Sequence, residues 1–338
     1  MTRVLLTGGS GFIAAHVLDT LLSRGHSVVT TVRSQEKADK IKSAHADVPE
    51  DKLSFAIVPD IAQLNAFDEA IKSDPPFEAV IHTASPFHFN AKDVQKDMLD
   101  PAVNGTVGIL KSIKKSAPSV KKVVITSSFA SIMDLTKKPP HADWNPVTLE
   151  QAVADPTTGY VASKAFAEKA AWKFLEEEKP GFELATICPP MVFGPIVNYL
   201  NSMSALNTSN QLTGNIAAGT FAGKSLPPSA FPVWVDVRDV ALAHVLAMEK
   251  DEASGKRFFT IHGIASNKDV AEVISKNFPE YKDRVPTGEG LEAGALHGVW
   301  YGSDNSRSKE VLGLEYTSLE KSVCDTVRSL KPFLDAAN

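Results

Sequence analysis

The chain has 338 residues, of which 43% are hydrophobic and 22% are charged, and its formal net charge is −5. These values fit an ordinary globular protein of one large domain or one and a half, and they exclude a chain dominated by basic charge that would bind nucleic acid or an anionic membrane surface. No run of about 18 apolar residues predicts a membrane span. Cys188 and Cys324 lie far apart and the nine histidines are scattered, so we expect a reduced, cytoplasmic, soluble protein without signal peptide, disulfide or metal.

The first half of the chain alternates β-branched runs with helical stretches. Gly25 should end the first helix, and Pro101 should kink or restart the fourth. The alternation predicts an α/β protein with a doubly wound, Rossmann-type parallel sheet and right-handed crossovers. The predicted strands are Arg3–Thr7, Ser27–Val32, Leu53–Val58, Ala79–Thr83, Lys122–Thr126 and Glu183–Cys188, and the predicted helices are Phe12–Leu22, Gln35–Ala46, Ile61–Ile71, Asp93–Ser116 and Thr158–Glu178.

The pattern loosens after Pro189. Residues 189–232 are rich in Pro, Gly, Asn, Ser and Thr, and a long irregular segment in a folded protein is usually a lid or a pocket wall. We expect a first domain over residues 1–188, completed by segments near 233–262, and a smaller C-terminal lobe made mainly of residues 189–338. The later predicted elements are strands Val233–Val235 and Arg257–Ile261 and helices Val237–Met248, Asn267–Phe278 and Ser318–Leu334.

A glycine-rich loop joins the first predicted strand to the first predicted helix. It reads Thr7-Gly8-Gly9-Ser10-Gly11-Phe12-Ile13-Ala14. In this context Gly8 permits a tight turn, Gly11 leaves room for a pyrophosphate, and Ala14 lets the helix pack closely on the sheet. Free N–H groups and the helix dipole then favour bound phosphate. The loop predicts a dinucleotide site; the alternative is a purely structural strand-to-helix turn.

The end of the second predicted strand carries a basic residue, Arg33, where an NAD-binding protein usually has an acid that holds the ribose hydroxyls. Lys37 follows one helical turn later, and Glu36 is the one competing carboxylate. Two cations favour the 2′-phosphate of NADPH, although a solvated basic helix start is the alternative. Asp60, after the third strand, suits either a contact with adenine or the N-cap of the next helix equally well.

Tyr160 and Lys164 lie at positions i and i+4 of a predicted helix and therefore share one face. An adjacent ammonium should lower the phenol pKa from about 10 and make it an efficient proton donor. The alternative is a surface cation beside a partly buried tyrosine. Thr126-Ser127-Ser128 ends the fifth strand, where reactive groups of parallel sheets lie, and one serine there can stabilise charge on a substrate oxygen.

These motifs together resemble the extended short-chain dehydrogenase/reductases. Within that family the chain is similar to the NADPH-dependent methylglyoxal/isovaleraldehyde reductases, beside the dihydroflavonol and cinnamoyl-CoA reductases. The likeness covers nearly the whole chain and is strongest over residues 1–195. The closer segments are Val58-Pro59-Asp60-Ile61, His82-Thr83-Ala84-Ser85-Pro86-Phe87, Pro101-Ala102-Val103-Asn104-Gly105-Thr106 and Ala165-Phe166-Ala167-Glu168-Lys169-Ala170-Ala171-Trp172.

The resemblance implies a role for each matched residue. Ser128 would orient the substrate carbonyl, Tyr160 would protonate its oxygen, and Lys164 would hold the nicotinamide ribose and depress the tyrosine pKa. Asn104 would either support the lysine through water or merely satisfy backbone. Cofactor contacts, with Tyr160 and Lys164, would be Gly8, Ser10, Gly11, Phe12, Ile13, Arg33, Lys37, Asp60, Ile61, Thr83, Ala84, Ser85, Thr126, Pro189 and Val192. The pocket for substrate would be lined by Phe87, Phe129, Met133, Val161 and Met191, with Met133 equally interpretable as core.

The resemblance therefore implies an NADP-binding first domain, a substrate-binding C-terminal lobe and a broad-specificity NADPH-dependent reductase of small aldehydes or ketones. Hydroxyls are missing at Phe129 and Met191, which argues against a strict polyphenol substrate. We expect a monomer or homodimer, and we interpret Asp236 and Asp239 as structural. Two other hypotheses stay open: an NAD-dependent nucleotide-sugar epimerase or hydroxysteroid dehydrogenase, and a non-catalytic NADPH-binding sensor.

Overall fold

The computed structural model describes residues 1–85, 93–134, 144–197, 202–298 and 303–335. The strands of these ranges are β1 (Arg3–Thr7), β2 (Ser27–Val32), β3 (Leu53–Ile57), β4 (Ala79–His82), β5 (Lys122–Thr126), β6 (Glu183–Cys188), β7 (Met191–Phe193), β8 (Val233–Asp236), β9 (Arg257–Phe259) and β10 (Gly263–Ile264). Seven of them form a parallel sheet in the order β3-β2-β1-β4-β5-β6-β9. The strand order reverses between β1 and β4, which is where open α/β sheets bind ligands, at the carboxyl ends of the strands.

Helices cover both faces of this sheet, as the doubly wound prediction requires. The helices α1 (Phe12–Ser23) and α7 (Val237–Glu249) pack on one face, in a buried cluster that includes Val17, Leu21 and Val240. The helices α3 (Asp100–Ser116) and α5 (Pro156–Glu178) cover the other face through residues such as Ile109 and Phe174. The α-helices are α1 (Phe12–Ser23), α2 (Gln35–Ala44), α3 (Asp100–Ser116), α4 (Leu149–Ala154), α5 (Pro156–Glu178), α6 (Thr208–Ala217), α7 (Val237–Glu249), α8 (Asn267–Asn277), α9 (Glu289–Glu292) and α10 (Leu319–Asp335). In the described ranges, no helix combines the length and the apolar composition needed to cross a membrane.

The two helix boundaries predicted from Gly and Pro are confirmed. Helix α1 ends at Ser23, and Gly25 follows in the left-handed region with φ +84°, where a glycine costs least. Pro101 lies in the first turn of α3, and a short π-helical segment, Gln95–Leu99, precedes it. A proline has no N–H to donate, so the first turn of a helix is where it is tolerated.

The prediction of a helix over 61–71 is wrong, because the segment is a series of turns. Several of its backbone bonds are short-range, such as Ala66 N–H to Gln63 O at 3.0 Å and Asp68 N–H to Asn65 O at 3.1 Å. The backbone lies very close to α3: a Cβ on Gly108 would come within 3.0 Å of Leu64 O. The apolar spacing therefore serves packing against α3 rather than a regular helix.

A second, smaller sheet forms after β6, with the order β10-β8-β7. Met191 pairs with Trp234 in register, and α6, α8 and α10 pack nearby around a third buried cluster that contains Trp234, Ile274 and Leu330. The prediction of an irregular segment over residues 189–232 is therefore partly wrong, because it contains β7 and α6. The sequence of α6 is polar and contains a glycine, and β7 has only three residues, so both elements depend on tertiary packing for their stability.

Candidate active site

The glycine loop turns sharply at the carboxyl end of β1. Gly8 has φ +79°, and a Cβ at this position would also lie 3.0 Å from the Cα of Ala84, so both conformation and space require glycine. The loop is tied to β2, since Gly8 N–H donates to Thr31 Oγ1 at 3.1 Å and Gly9 N–H donates to Thr31 O at 2.9 Å. These bonds fix the loop against the strand that leads to Arg33.

Gly9 has a structural role that the sequence analysis did not assign. A Cβ on Gly9 would lie 2.1 Å from Thr30 Oγ1, a distance at which one of the two must move. Thr30 is fully buried and its hydroxyl donates to Leu6 O at 3.0 Å. The sequence signal for this role is the adjacent pair Gly8-Gly9. The reason that position 9 must be glycine is the proximity of β2, which is visible only in the fold.

The start of α1 faces the space beside this loop. Gly11 is the N-cap of α1 and supplies no capping side chain, so the N–H groups of the first turn suit an anionic ligand. A cleft of about 260 Å³ lies here. It is lined by Gly8, Ser10, Gly11, Thr31, Val32, Arg33, Lys37, Val58, Ile61, Thr83, Ala84 and Ser85. Glycine backbone, helix N-terminus and two cations together fit the phosphates of a dinucleotide.

Arg33 and Lys37 line this cleft together and both are exposed. The nearby carboxylate of Glu36 accepts a hydrogen bond from Lys40 Nζ at 2.6 Å, so it is directed to a different cation. An adjoining cavity of about 400 Å³ extends past Phe12 and is also lined by Lys37 and Lys40. The charge in this corner is therefore suited to a phosphate.

Asp60 makes the contacts of a turn cap. Its Oδ1 accepts from Ala62 N–H at 2.9 Å and its Oδ2 accepts from Gln63 Nε2 at 3.1 Å. These bonds to the ionised form lower the carboxyl pKa. Of the two interpretations left open by the sequence, the geometry favours the local cap, although the segment that it caps is not a helix.

Ser128 and Tyr160 share a hydrogen bond at the carboxyl end of β5. Ser128 begins a 3₁₀ turn, Phe129–Ser131, and its Oγ accepts from Ala130 N–H at 3.1 Å. The neighbouring Ser127 is buried and donates instead to the carboxylate of Glu168. The geometry thus separates two chemically identical side chains and leaves Ser128 as the one that meets the tyrosine.

Lys164 lies one turn beyond Tyr160 on α5, and its Nζ donates to Ser85 Oγ at 2.7 Å. The same Nζ is 5.9 Å from the centre of the Tyr160 ring. Burial lowers the Lys164 pKa to about 8. The expectation that the ammonium would lower the tyrosine pKa is wrong for this arrangement: burial raises the Tyr160 pKa, the bond with Ser128 opposes that rise, and the ammonium is directed to Ser85.

Two other predicted cofactor residues use their hydroxyls within the protein. Thr83 Oγ1 donates to Thr7 O at 2.5 Å. Thr126 Oγ1 hydrogen-bonds Nε2 of the buried His244 at 2.6 Å, while the other ring nitrogen contacts Val240 O at 2.7 Å. Thr83 therefore lines the cleft and also joins its wall to β1, whereas Thr126 is not among the lining residues and joins β5 to α7 through His244.

The remaining predicted cofactor residues lie at the start of α1 and in the segment after β6, with different exposures. Phe12 and Ile13 are half-buried at the start of α1, while Val192 is buried in the core cluster beneath. Pro189 follows β6, and its carbonyl accepts from Phe129 N–H at 2.9 Å. The structure thus links the segment after β6 directly to the turn that carries Ser128.

Three of the predicted substrate residues come together, in one apolar cluster. Phe129 and Met133 are buried and Val161 packs against them; the Phe129 ring also stacks on Phe259 with ring centres 5.2 Å apart. Met191 packs in a different cluster, beside the second sheet. Phe87 lies outside the described residues.

The acidic residues at the start of α7 have structural partners, as predicted. Asp236 is fully buried, caps α7 by accepting from Arg238 N–H at 2.9 Å, and pairs with the Arg238 guanidinium at 2.8 Å. Asp239 accepts from the backbone N–H and the hydroxyl of Thr317, both at 2.8 Å. Asn104 lies half-buried on α3, the helix that packs against α5.

Comparisons with known proteins identify the family and agree with the fold. The family model described as "NAD dependent epimerase/dehydratase family" matches residues 4–261. Ketoreductase azaE of Aspergillus niger is 45% identical over 331 residues, covering 97% of each chain, and NADPH-dependent methylglyoxal reductase GRE2 of Saccharomyces cerevisiae is 39% identical over 341 residues, covering 98% of each. The crystal structure of yeast methylglyoxal/isovaleraldehyde reductase Gre2 complexed with NADPH superposes with a TM-score of 0.86 at 38% identity, covering 97% of this chain and 98% of that one. The chain therefore belongs to the NAD dependent epimerase/dehydratase family, the extended short-chain dehydrogenase/reductases that its motifs predicted.

Proposed function

We propose that this protein is an NADPH-dependent carbonyl reductase that converts a small aldehyde or ketone to an alcohol, with Tyr160 as the proton donor. The observation that carries the proposal is the convergence of Ser128, Tyr160 and Lys164. Ser128 and Tyr160 hydrogen-bond each other, and Lys164 reaches Ser85 on the wall of the glycine-loop cleft. This arrangement brings an acid and a hydroxyl donor to the edge of a site shaped for a dinucleotide.

NADPH is the proposed cofactor because Arg33 and Lys37 line the cleft where an NAD-specific protein would carry an acid. A charged hydrogen bond to a 2′-phosphate is worth about 1.5–3 kcal/mol, or about one to two decades of preference over NADH. The name of the Saccharomyces cerevisiae relative states dependence on NADPH, and the yeast Gre2 crystal structure is a complex with NADPH. Both observations support the same cofactor here.

The roles of the side chains follow from their protonation states. The raised pKa keeps the Tyr160 phenol protonated at neutral pH, as a proton donor must be. The Ser128 hydroxyl would donate to the same substrate oxygen as negative charge develops there. Lys164 would hold the ribose of the cofactor through its ammonium. Bound NADPH supplies the hydride; the protein supplies orientation and charge stabilisation.

The substrate pocket would be formed where the turn after β5 meets α5 and the second sheet. Phe129, Met133 and Val161 form its apolar wall, with Met191 on the side of the C-terminal lobe. An apolar wall of this kind suits carbonyls with alkyl or aryl arms. We also propose that residues 1–188 bind NADP and that residues 189–338 mainly bind substrate. A cytoplasmic location and a monomeric or homodimeric state stay predictions.

The test is NADPH oxidation by the purified protein over a panel of aliphatic aldehydes, diketones, aryl ketones and dihydroflavonols. We expect turnover of several apolar carbonyls and a loss of turnover in Tyr160→Phe. Tight NADPH binding without turnover of any carbonyl would contradict the proposal and favour a sensor. Stoichiometric NAD retained through purification would contradict it in favour of an epimerase.

A further inference from the structure

The helix α5 carries a third polar residue in line with Tyr160 and Lys164. Glu168 lies four residues after Lys164, so the three side chains follow one face of the helix. Glu168 is only 2% exposed, and an isolated carboxylate at such a depth would be neutral rather than ionised. Its surroundings therefore must account for its charge.

The two oxygens of Glu168 share Arg257 and otherwise have different partners. Oε2 accepts from the hydroxyl of Ser127, from that of Ser131 at 2.5 Å, and from Arg257 Nη2 at 3.2 Å. Oε1 accepts from Thr186 Oγ1 at 2.8 Å and from Arg257 Nε at 2.6 Å. Only Oε2 thus contacts the serines of the turn after β5, while Oε1 contacts β6 and β9, where Thr186 and Arg257 are paired in register.

Arg257 keeps the carboxylate ionised. Burial alone would raise the Glu168 pKa, but the hydrogen bond and charge of Arg257 and the serine hydroxyls outweigh that effect and lower it. The guanidinium is itself stacked over the Trp144 ring, 3.7 Å from the ring centre, and Trp172 Nε1 also donates to Glu168 at 3.2 Å. The result is a fixed, charged acceptor at the end of the catalytic helix face.

The two serines bound by Glu168 flank Ser128 in the sequence and hold its backbone. The Ser131 N–H donates to the carbonyl oxygen of Ser128 at 3.0 Å, and the Ser127 N–H donates to Ile187 O at 2.7 Å. A charge-assisted bond is shorter and stronger than a neutral one, so Glu168 restrains this turn on both sides of Ser128. The serine turn joins Glu168 to Tyr160, because Glu168 holds Ser127 and Ser131 and the Tyr160 hydroxyl bonds Ser128.

We infer that Glu168 is a positioning residue for the reaction: by holding Ser127 and Ser131, it fixes Ser128 opposite Tyr160. The inference rests on the proposed reductase function. The competing view is that Glu168 and Arg257 only join α5 to the edge of the sheet. The two views predict different effects of removing the serine hydroxyls that bind Oε2. A purely structural role predicts a loss of stability alone, whereas a positioning role also predicts a loss of kcat.

The test compares the two sides of the carboxylate in the full-length protein. Ser127→Ala combined with Ser131→Ala removes the two hydroxyl donors to Oε2 and the contact of Ser131 Oγ with Arg257 Nη2, but it leaves the bonds from Arg257 to both carboxylate oxygens. Thr186→Val removes one donor to Oε1 and is the matched control, since the Thr186 hydroxyl bonds Oε1 rather than Oε2 and Thr186 is not among the residues that line the cofactor cleft. Melting temperature, the NADPH dissociation constant and steady-state kinetics with NADPH and a carbonyl are measured for each.

We expect the double serine variant to lose kcat by about 10- to 100-fold, the cost of a small misplacement of a catalytic group, while its NADPH dissociation constant changes by less than about twofold. Thr186→Val should keep kcat within about twofold at a similar loss of stability. Glu168→Gln should follow the serine variant in kcat, with a larger drop in melting temperature. This split between kcat and cofactor binding is what a structural role alone would not produce.

Wild-type kcat in the double serine variant would overturn the inference and leave the reductase assignment standing. An equal loss of kcat in Thr186→Val would overturn it too, because the effect would then follow stability rather than the serine turn. A wild-type protein without turnover of any carbonyl would instead overturn the proposed function, and the positioning role with it.

Discussion

Lys164 Nζ donates to Ser85 Oγ at 2.7 Å and so joins the catalytic helix α5 to the segment that follows β4. The residue before Ser85, Ala84, lies against Gly8, and its N–H donates to Thr7 Oγ1 at 3.1 Å. A single lysine thus connects the tyrosine-bearing helix with the glycine loop. The cofactor cleft and the proton donor are built as one unit, and changes at Lys164 should affect both.

The first prediction concerns pH. Burial lowers the Lys164 pKa to about 8, so the side chain is an ammonium below that pH and becomes neutral as the pH rises through it. The proposed contact with the cofactor needs the charged form, and kcat/KM reports ionisations of the free enzyme. We therefore expect kcat/KM for NADPH to fall as the pH rises through about 8.

The alkaline fall in kcat/KM could belong to Lys164 or to the neighbouring phenol of Tyr160, and Ser85→Ala distinguishes them. Burial raises the Tyr160 pKa, so ionisation of the tyrosine belongs to a higher pH than that of the lysine. In Ser85→Ala the ammonium loses its acceptor, which disfavours the charged form, and the alkaline limb should move to lower pH. A limb that stays in place in Ser85→Ala would assign it to another group.

The second prediction concerns the proton donor. Tyr160→Phe keeps the ring but removes the hydroxyl that bonds Ser128, so we expect turnover to fall by about 10²- to 10⁴-fold, the usual contribution of a general acid. The NADPH dissociation constant should be nearly unchanged, as judged by fluorescence titration. Ser128→Ala should lower kcat in the same way, whereas normal turnover in Tyr160→Phe would remove the tyrosine from the mechanism.

The features of this site that the sequence predicted are those formed by residues close together along the chain. The glycine loop and Arg33 could be predicted, because both are read from the order of one strand, one turn and one helix. The choice of Ser128 over Ser127 needed the family resemblance, since the two hydroxyls are chemically alike. The contact of Gly9 with Thr30 and the bond from Arg257 to Glu168 join residues far apart in sequence, and no local pattern encodes them.

The fold shows the same difference between local patterns, which the sequence reveals, and long-range contacts, which it does not. The strands of the main sheet were predicted to within a residue or two, because each is a short β-branched run between turns. The segment 61–71 was predicted as a helix and is a series of turns, since its backbone packs against Gly105 and Gly108 of α3. In that segment a tertiary contact overrides the local spacing of apolar residues.

The third prediction concerns cofactor choice. Arg33→Ala removes a cation from the cleft wall, and we expect the KM for NADPH to rise about 10- to 100-fold, in line with a charged hydrogen bond, while the KM for NADH changes little. Lys42→Ala is the matched control, because Lys42 is an exposed cation on the adjacent helix α2 but pairs with Glu50 at 2.6 Å and does not line the cleft. Equal effects of Arg33→Ala on both cofactors would mean that Arg33 does not contact the 2′-phosphate.

The fourth prediction concerns the space behind the glycine loop. Gly9→Ala would place a methyl group 2.1 Å from Thr30 Oγ1, and Thr30 cannot move away without breaking its bond to Leu6 O. Overpacking of this kind costs about 1–3 kcal/mol, so the melting temperature should fall. Displacement of the loop should also weaken NADPH binding, measured by fluorescence titration.

A second substitution separates this clash from a general effect of alanine in the loop. With Thr30→Ala, the remaining Cβ lies 3.1 Å from the new methyl group, so Gly9→Ala should cost much less in that background than in the wild type. This non-additivity is the signature of a direct contact. Gly25→Ala is the comparison for backbone strain alone, because Gly25 has φ +84° and open space around it; it should lose about 1–2 kcal/mol of stability and keep NADPH binding. If Gly9→Ala lowers the stability by the same amount in the wild type and in the Thr30→Ala background, the close approach of β2 is not what requires glycine at this position.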